Sequence, residues 1–423
     1  MSNVFCYPHC CAPEKYDEKS WYFEMFSTPN IKLPNVGHIG LQFFSDLKKS
    51  KICPNEVALD FSMIALAVTA ADKAILRRNS ADGWTRKITL SLYLHDVSKW
   101  NRVKNDLEWM LRFLSGDFWT LNFISLPISF VPKQQYEKRD QDCICLLSGG
   151  MDSLVGAIDL HEMGRDPLFV SHIVKGDAEH QREYASAIGK NNLCQWSNYV
   201  NKRGVSENST RTRSIIFFAF ALLASCGIED NQAGRKEMFV PENGFISLNI
   251  PLDPLRIGSL STKTTHPVYM ETLKRIWDEV GLSIDLILPY EFTTKGEVLL
   301  NCKNKELMIS KIFGSTSCGK YYRHGYRHCG VCVPCLVRRA SFVRAGLSDI
   351  TENGYCIENI SASESRDVAA VRYAIQQVKA HGIESIVKGS LSFASIDKRD
   401  SYVGVIKRGL DEINELINRQ ENV

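Results

Sequence analysis

The spacing of hydrophobic positions changes along this chain, and each change predicts an element. Ile88, Leu90, Leu92 and Leu94 alternate with Thr89, Ser91 and Tyr93, the period-two pattern of a half-buried strand. Before it, residues 58–78 are dense in Ala, Leu and Ile and read as a strand followed by a helix. The turn Asn79-Ser80-Ala81-Asp82-Gly83 closes them. A helix is predicted over residues 98–114. Ser115-Gly116-Asp117 breaks it, and residues 118–124 return to strand character. Residues 1–50 show no period and read as irregular. Residues 1–135 are therefore expected to form an N-terminal α+β accessory domain with Trp84, Trp100 and Trp119 buried. The charged stretch after Pro132 is the expected linker.

From Cys143 onward, strand and helix patterns alternate. Residues 143–147 and 168–174 read as strands and residues 178–190 as a helix. The helix 212–224 is apolar on most sides and hence buried. Short strands at 238–240 and 286–288 lead into Pro241-Glu242-Asn243-Gly244 and Pro289-Tyr290. Such alternation predicts βαβ units, a parallel sheet, and ligands at the carboxyl ends of its strands. Beyond Asp349 two amphipathic helices are expected, at 363–381 and 401–419. The α/β unit then spans 142–349, and a helical extension spans 350–423.

The first strand of that unit runs into Leu147-Ser148-Gly149-Gly150-Met151-Asp152-Ser153 and then a helix. A helix start leaves N–H groups unpaired and carries the positive end of the dipole, so it suits an anion. Gly149 and Gly150 let the backbone curl around a phosphate. Ser148 and Ser153 add hydroxyls, and Asp152 is placed to hold Mg²⁺. The spacing is not that of a Walker loop. Ser-Gly-Gly-x-Asp-Ser resembles the PP-loop of ATP pyrophosphatases, which split ATP between the α and β phosphates.

Composition adds bounds. With 423 residues, 44% apolar and 23% charged, the chain has room for two or three globular domains. A net charge of +3 is too small to argue for nucleic acid or a membrane surface. The N-terminus lacks a signal-peptide pattern, and the apolar run 215–226 is too short to span a bilayer. Fourteen cysteines in such a chain point to a reducing cytoplasm and to metal ligation rather than disulfides.

Cys318, Cys329, Cys332 and Cys335 supply four thiolates, the number tetrahedral Zn²⁺ takes in a closed structural site. Such a site contributes roughly 10 kcal/mol to local folding. An iron–sulfur cluster also takes four thiolates, and His324 and His328 are competing ligands. A smaller group, Cys6, His9, Cys10 and Cys11, reads as ordinary side chains rather than a second site. Around the main set, Arg338, Arg339 and neighbouring basic and aromatic residues suit either a helix surface or a nucleic-acid contact.

Cys329-Gly330-x-Cys332-x-Pro334-Cys335-x-x-Arg338-Arg339-x-x-Phe342-x-x-Ala345-Gly346-Leu347-x-Asp349 resembles the closing signature of the 7-cyano-7-deazaguanine synthase (QueC) family. Residues 213–221 are similar to that family's arginine-led buried helix, and Pro289-Tyr290-x-x-x-Thr294-Lys295-Gly296-Glu297 to its Lys-Ala-Glu segment. The resemblance implies ATP-dependent adenylation of the 7-carboxy-7-deazaguanine carboxylate, then amide and nitrile formation with ammonia. It implies ATP, Mg²⁺ and Zn²⁺ as cofactors, Lys295 and Arg213 beside Asp152 as catalytic groups, and Glu242, Asn243 and His180 at the substrate.

Two features depart from the family. Gly176-Asp177-Ala178-Glu179-His180 keeps only the histidine of its Tyr-x-Gln-Arg-His stretch, and residues 249–266 form a longer segment. Long chains of this build resemble those of bacterial anti-phage defence systems, the QatC group. There the amine acceptor is expected to be a protein partner from the same operon, with residues 175–179 widening the site mouth. Two alternatives stand beside this ligase reading. One is a tRNA-modifying enzyme using Cys143, Cys145, Cys194 or Cys302 for sulfur transfer. The other is an idle nucleotide-binding scaffold.

Overall fold

The computed structural model describes residues 2–173, 176–189, 192–208, 211–254 and 263–421. Lys175, Lys190 and residues 255–262 of the longer segment lie outside the described residues. The strands are β1 (Ser2–Pro8), β2 (Ser20–Met25), β3 (Val36–Ile39), β4 (Lys87–Leu94), β5 (Phe118–Ser125), β6 (Cys143–Leu146), β7 (Pro167–His172), β8 (Leu193–Trp196), β9 (Val200–Asn201), β10 (Lys236–Phe239) and β11 (Ile284–Ile287). They form two sheets, ordered β5-β4-β1-β2-β3-β9 and β11-β10-β6-β7-β8.

The second sheet is parallel throughout. Its chain starts in the middle at β6, runs outward through β7 and β8, then returns to β10 and β11 on the other side. The crevice between β6 and β10 is thus the topological switch point, where open α/β sheets bind ligands.

The first sheet corrects two expectations. Residues 1–50 are not irregular, since β1, β2 and β3 lie there. The N-terminal part is also not α+β, because β1 to β5 are parallel to one another. Strands buried on both faces lose the period-two alternation, and Tyr22, Phe23 and Met25 of β2 are all buried. Residues 58–78 hold no strand. A single helix, Glu56–Ala74, is capped by the Asn55 side chain and buried along most of its length.

That helix packs on the helix Arg213–Ser225, and the pair fills the space between the two sheets. One hydrophobic cluster runs from Val4 and Leu90 through Phe61 and Phe218 to Ile144 and Val170. β9, which follows the second sheet's β8, pairs antiparallel with β3 of the first. The helix expected at 98–114 is two helices, Val97–Arg102 and Lys104–Ser115, broken at Val103. Trp100 and Trp119 are buried, whereas Trp84 is 36% exposed and is covered by the guanidinium groups of Arg77 and Arg211. The helices Arg366–His381 and Ile396–Glu421 form a separate cluster with Leu248 and the four cysteines. No helix among the described residues is long and apolar enough to cross a membrane.

A buried ionic network ties the N-terminal unit together. Asp117 accepts from Arg77 at 2.9 and 2.8 Å and from Arg86 at 2.6 Å. Arg86 also pairs with Asp72, which accepts from Thr212 at 2.6 Å, just ahead of the Arg213 helix. Removing one partner of such a network strands the others in an apolar interior. Asp117→Ala is expected to cost about 3–5 kcal/mol and to lower the unfolding temperature sharply in calorimetry. Asp106→Ala, which removes the exposed partner of Arg275, should leave that temperature nearly unchanged.

Candidate active site

The turn after β6 delivers the first site residues. Leu147 N–H binds Val170 O at 2.8 Å, which holds the turn to β7. The helix Met151–Glu162 starts directly after Gly150. Gly149 sits at φ +89°, a left-handed conformation that a Cβ would strain. Ser153 Oγ donates to Gly150 O at 3.0 Å and accepts from Ser148 N–H at 3.2 Å, and the two serine hydroxyls lie 3.1 Å apart. Gly156, one turn into the helix, lies so close to Pro241 that a Cβ would stand 2.4 Å from its ring. The helix is therefore pressed against the segment that leaves β10.

Asp152 meets the segments that follow β10 and β11, beside the switch point. Its side chain is 5% exposed. Asn243, after β10, donates to Oδ2 from Nδ2 at 2.7 Å and from its backbone at 3.2 Å. Lys295, after β11, places Nζ 2.8 Å from Oδ1 and is itself buried. Asn243 Oδ1 accepts from Ile246 N–H and caps the helix Gly244–Leu248. The side chain expected to read a base is thus engaged at both ends in holding Asp152. Glu242 stays partly exposed beside them. Burial and then the Asp152 charge push its carboxyl up to about 7, against the pull of Lys295.

Arg213 and His180 lie on the other side of the turn. Arg213, 39% exposed, stands 3.9 Å from Asp177, whose carboxyl is raised by burial. Gln181 donates to Ser148 O at 3.2 Å, so the helix Ala178–Ile188 is tied to the turn. His180, on that helix, lines a cavity of about 560 Å³ with Gly176, Glu179, Tyr321, Tyr326 and Glu352. A larger cavity of about 890 Å³ opens between the helix Lys104–Ser115 and the C-terminal helices, and none of the predicted site residues lines it.

The four cysteines converge. Sγ atoms of Cys318 and Cys332 lie 3.9 Å apart, those of Cys329 and Cys335 3.8 Å apart, and all four lie within 4.8 Å of one another. Sulfurs about 2.3 Å from one tetrahedral ion stand about 3.8 Å apart, so the set is compatible with a single zinc. A disulfide needs about 2.05 Å, and a multi-iron cluster needs more room. Backbone N–H groups of Lys320 and Cys329 point at Cys318 Sγ, and that of Cys332 at Cys329 Sγ. His328 Nε2 instead accepts from Ser317 N–H, and His324 is exposed.

Arg338 is fully buried and donates to Ser315 O, Ser315 Oγ and Thr351 Oγ1. Arg339 is buried and donates to Gly330 O and Glu358 O. These arginines are internal ties, not a nucleic-acid surface. The Arg338 tie reaches the turn, because Thr316 N–H binds Gly149 O at 3.0 Å. Near the N-terminus Cys6 is buried and His9 bonds Glu24 at 2.9 Å. The four-cysteine set alone forms a metal-ligand group among the described residues.

Comparison with known proteins adds a chemical likeness. A relative in Novosphingobium aromaticivorans is 28% identical over 238 residues, covering 50% of this chain and 94% of the relative. One in Methanosphaerula palustris is 24% identical over 228 residues, covering 49% and 96%. Both are 7-cyano-7-deazaguanine synthases. This similarity supports a QueC-like family for about half of the chain. No protein-family model matches it, and no solved structure matches it.

The thiolate set generates a direct expectation. Protein purified without oxygen should carry about one zinc per chain, and a Cys332→Ser, Cys335→Ser protein should carry almost none, as read by metal analysis. Iron–sulfur absorbance in the visible range would contradict the assignment.

Proposed function

We propose that this protein is an ATP-dependent ligase that adenylates a 7-deazaguanine carboxylate, such as 7-carboxy-7-deazaguanine, and passes the acyl group to an amine. The observation that carries the reading is the meeting of Asp152, Lys295 and Asn243 at the switch point, directly beside the Ser148–Ser153 turn. The similarity to 7-cyano-7-deazaguanine synthases supplies the substrate class.

In this reading Ser148, Gly149, Gly150, Met151, Asp152 and Ser153 form a PP-loop that holds the ATP phosphates. The carboxylate oxygen attacks the α phosphorus, the bond to the bridging oxygen breaks, and pyrophosphate leaves. The amine then attacks the acyl carbon, AMP departs with that oxygen, and the amine loses a proton. A carboxylate oxygen is a poor leaving group, whereas AMP is a good one. Lys295 and Arg213 place positive charge where the phosphates gain negative charge. Asp152 Oδ1, which makes an ion pair with Lys295 but no hydrogen bond, and Glu242 would hold Mg²⁺, which neutralises the phosphates. The Glu242 carboxyl, raised partly by Asp152, fits a place where a cation relieves repulsion between carboxylates. His180 and Glu242, on opposite sides of the turn, are the residues we assign to the substrate.

The acceptor we favour is a protein amine, a lysine or a chain terminus, supplied by an operon partner in an anti-phage defence system. About half of this chain matches 94% and 96% of the two relatives' lengths, and the other half, extra to them, supports a larger acceptor and the defence setting. The sulfur-transfer reading is disfavoured by its thiols. Burial raises those of Cys143 and Cys145, and pushes Cys194 and Cys302 up to about 11, so none is a ready thiolate.

The test is to incubate the protein with ATP, 7-carboxy-7-deazaguanine and its operon neighbours, and to measure small-molecule products and intact protein masses. A neighbour should gain one deazaguanine acyl group. Asp152→Asn should reduce turnover by about a hundredfold or more while leaving zinc content unchanged. Free nitrile as the main product, with no neighbour altered, would reject the protein acceptor.

A further inference from the structure

Lys295 is the first residue of a short helix, Lys295–Leu300. A helix of six residues makes few hydrogen bonds of its own, so its start is set by what caps it. Thr294 caps it in part, accepting from Glu297 N–H at 3.1 Å, while Thr294 N–H donates to Glu297 Oε2 at 2.9 Å. A second cap comes from far along the chain. Glu412, on the helix Ile396–Glu421, accepts from the Thr294 hydroxyl with Oε1 and from Gly296 N–H with Oε2 at 3.3 Å. Lys295 lies between those two residues.

The same helix grips both arms that hold Asp152. Arg408 pairs with Glu297 at 2.6 Å and donates to Phe292 O at 2.7 Å. Gly409 lies against Phe245, and Val405 against Gly244, in the short helix that Asn243 caps. Val405, Gly409 and Glu412 recur at helical spacing and so share one face.

We propose that Glu412 is a positioning residue for Lys295, through which the C-terminal helix sets where the ammonium stands against Asp152. The proposal deepens the ligase reading and takes the role of Lys295 from it. The groups facing Glu412 are Thr294 and Gly296 on the capped helix start, Glu297, and Arg344, whose Nε lies 4.0 Å away. Arg408 on its own helix is engaged with Glu297.

Burial pushes the Glu412 carboxyl up to about 7, and Glu297 adds to the rise. Thr294, the Gly296 N–H and Arg344 pull the other way and lose. A carboxyl raised in the folded state keeps its proton longer than in the unfolded chain. Its contribution to stability is therefore present at low pH, and is lost as pH rises from the ordinary glutamate range through about 7.

The experiment uses the full chain as wild type, Glu412→Gln and Glu412→Ala. Two readouts are taken, the acetylation rate of Lys295 by peptide mass spectrometry and the pyrophosphate release rate. Glu412→Ala should expose Lys295 to acetylation severalfold faster and lower kcat by about tenfold or more, with KM for ATP little changed. Lys236, a partly buried lysine paired with Asp230, should keep its wild-type rate. Glu412→Gln should restore slow Lys295 acetylation and most of kcat, because its amide oxygen still accepts from Gly296 N–H while its NH2 donates to the Thr294 hydroxyl oxygen. It should also flatten the fall of unfolding temperature with rising pH. Wild-type acetylation of Lys295 in Glu412→Ala would overturn the proposal. So would equal acceleration at Lys236, which marks general loosening. A wild type that releases no pyrophosphate would sink the ligase reading alone, since acetylation needs no turnover.

Discussion

A carboxylate removed from water costs several kcal/mol unless it is paired, and the pairing of Asp152 organises this molecule. Its two oxygens are held by groups that follow two different strands, Asn243 after β10 and Lys295 after β11. Asp152 itself follows β6, the central strand from which the chain departs in both directions. One buried anion thus joins the segments that follow three strands. If the loop after β10 or β11 shifted, Asp152 would be left buried and short of partners, so the site and the local fold are the same arrangement.

The rest of the chain reads as support for that arrangement. The four cysteines gather residues 318–335, and Arg338 extends the knot to the loop whose Thr316 holds Gly149. The C-terminal helix caps the Lys295 helix from outside. The N-terminal sheet shares its core with the helix that begins at Arg213, and the Asp72–Thr212 bond ties that helix's approach to the same unit. Parts far apart in sequence each end within a few residues of a predicted site group.

Much of this was legible in the chain where the signal is local. The apolar run at Cys143, the buried helix from Arg213 and the spacing of the four cysteines depend on neighbouring residues, and the structure has those elements near the expected places. The turn residues Ser148 to Ser153 were legible for the same reason. The partner of Asp152 was not. Asn243 and Lys295 meet it only because β10 folds back beside β6, which no spacing encodes. Glu412 was hidden more thoroughly, since a glutamate in an amphipathic tail looks like a solvated residue. β2 was missed because burial on both faces erases alternation, and the helix Glu56–Ala74, buried along most of its length, was misread for a similar reason.

Whether the arrangement performs the proposed chemistry comes down to which bond of ATP breaks and which oxygen attacks. The direct measurement uses 7-carboxy-7-deazaguanine labelled with heavy oxygen in its carboxylate, with ATP and an amine acceptor, followed by mass spectrometry of the nucleotides. Acyl-adenylate chemistry at this crevice predicts one heavy oxygen carried into each AMP, and none in pyrophosphate. Release of ADP with inorganic phosphate, or AMP that carries no label, would contradict the account.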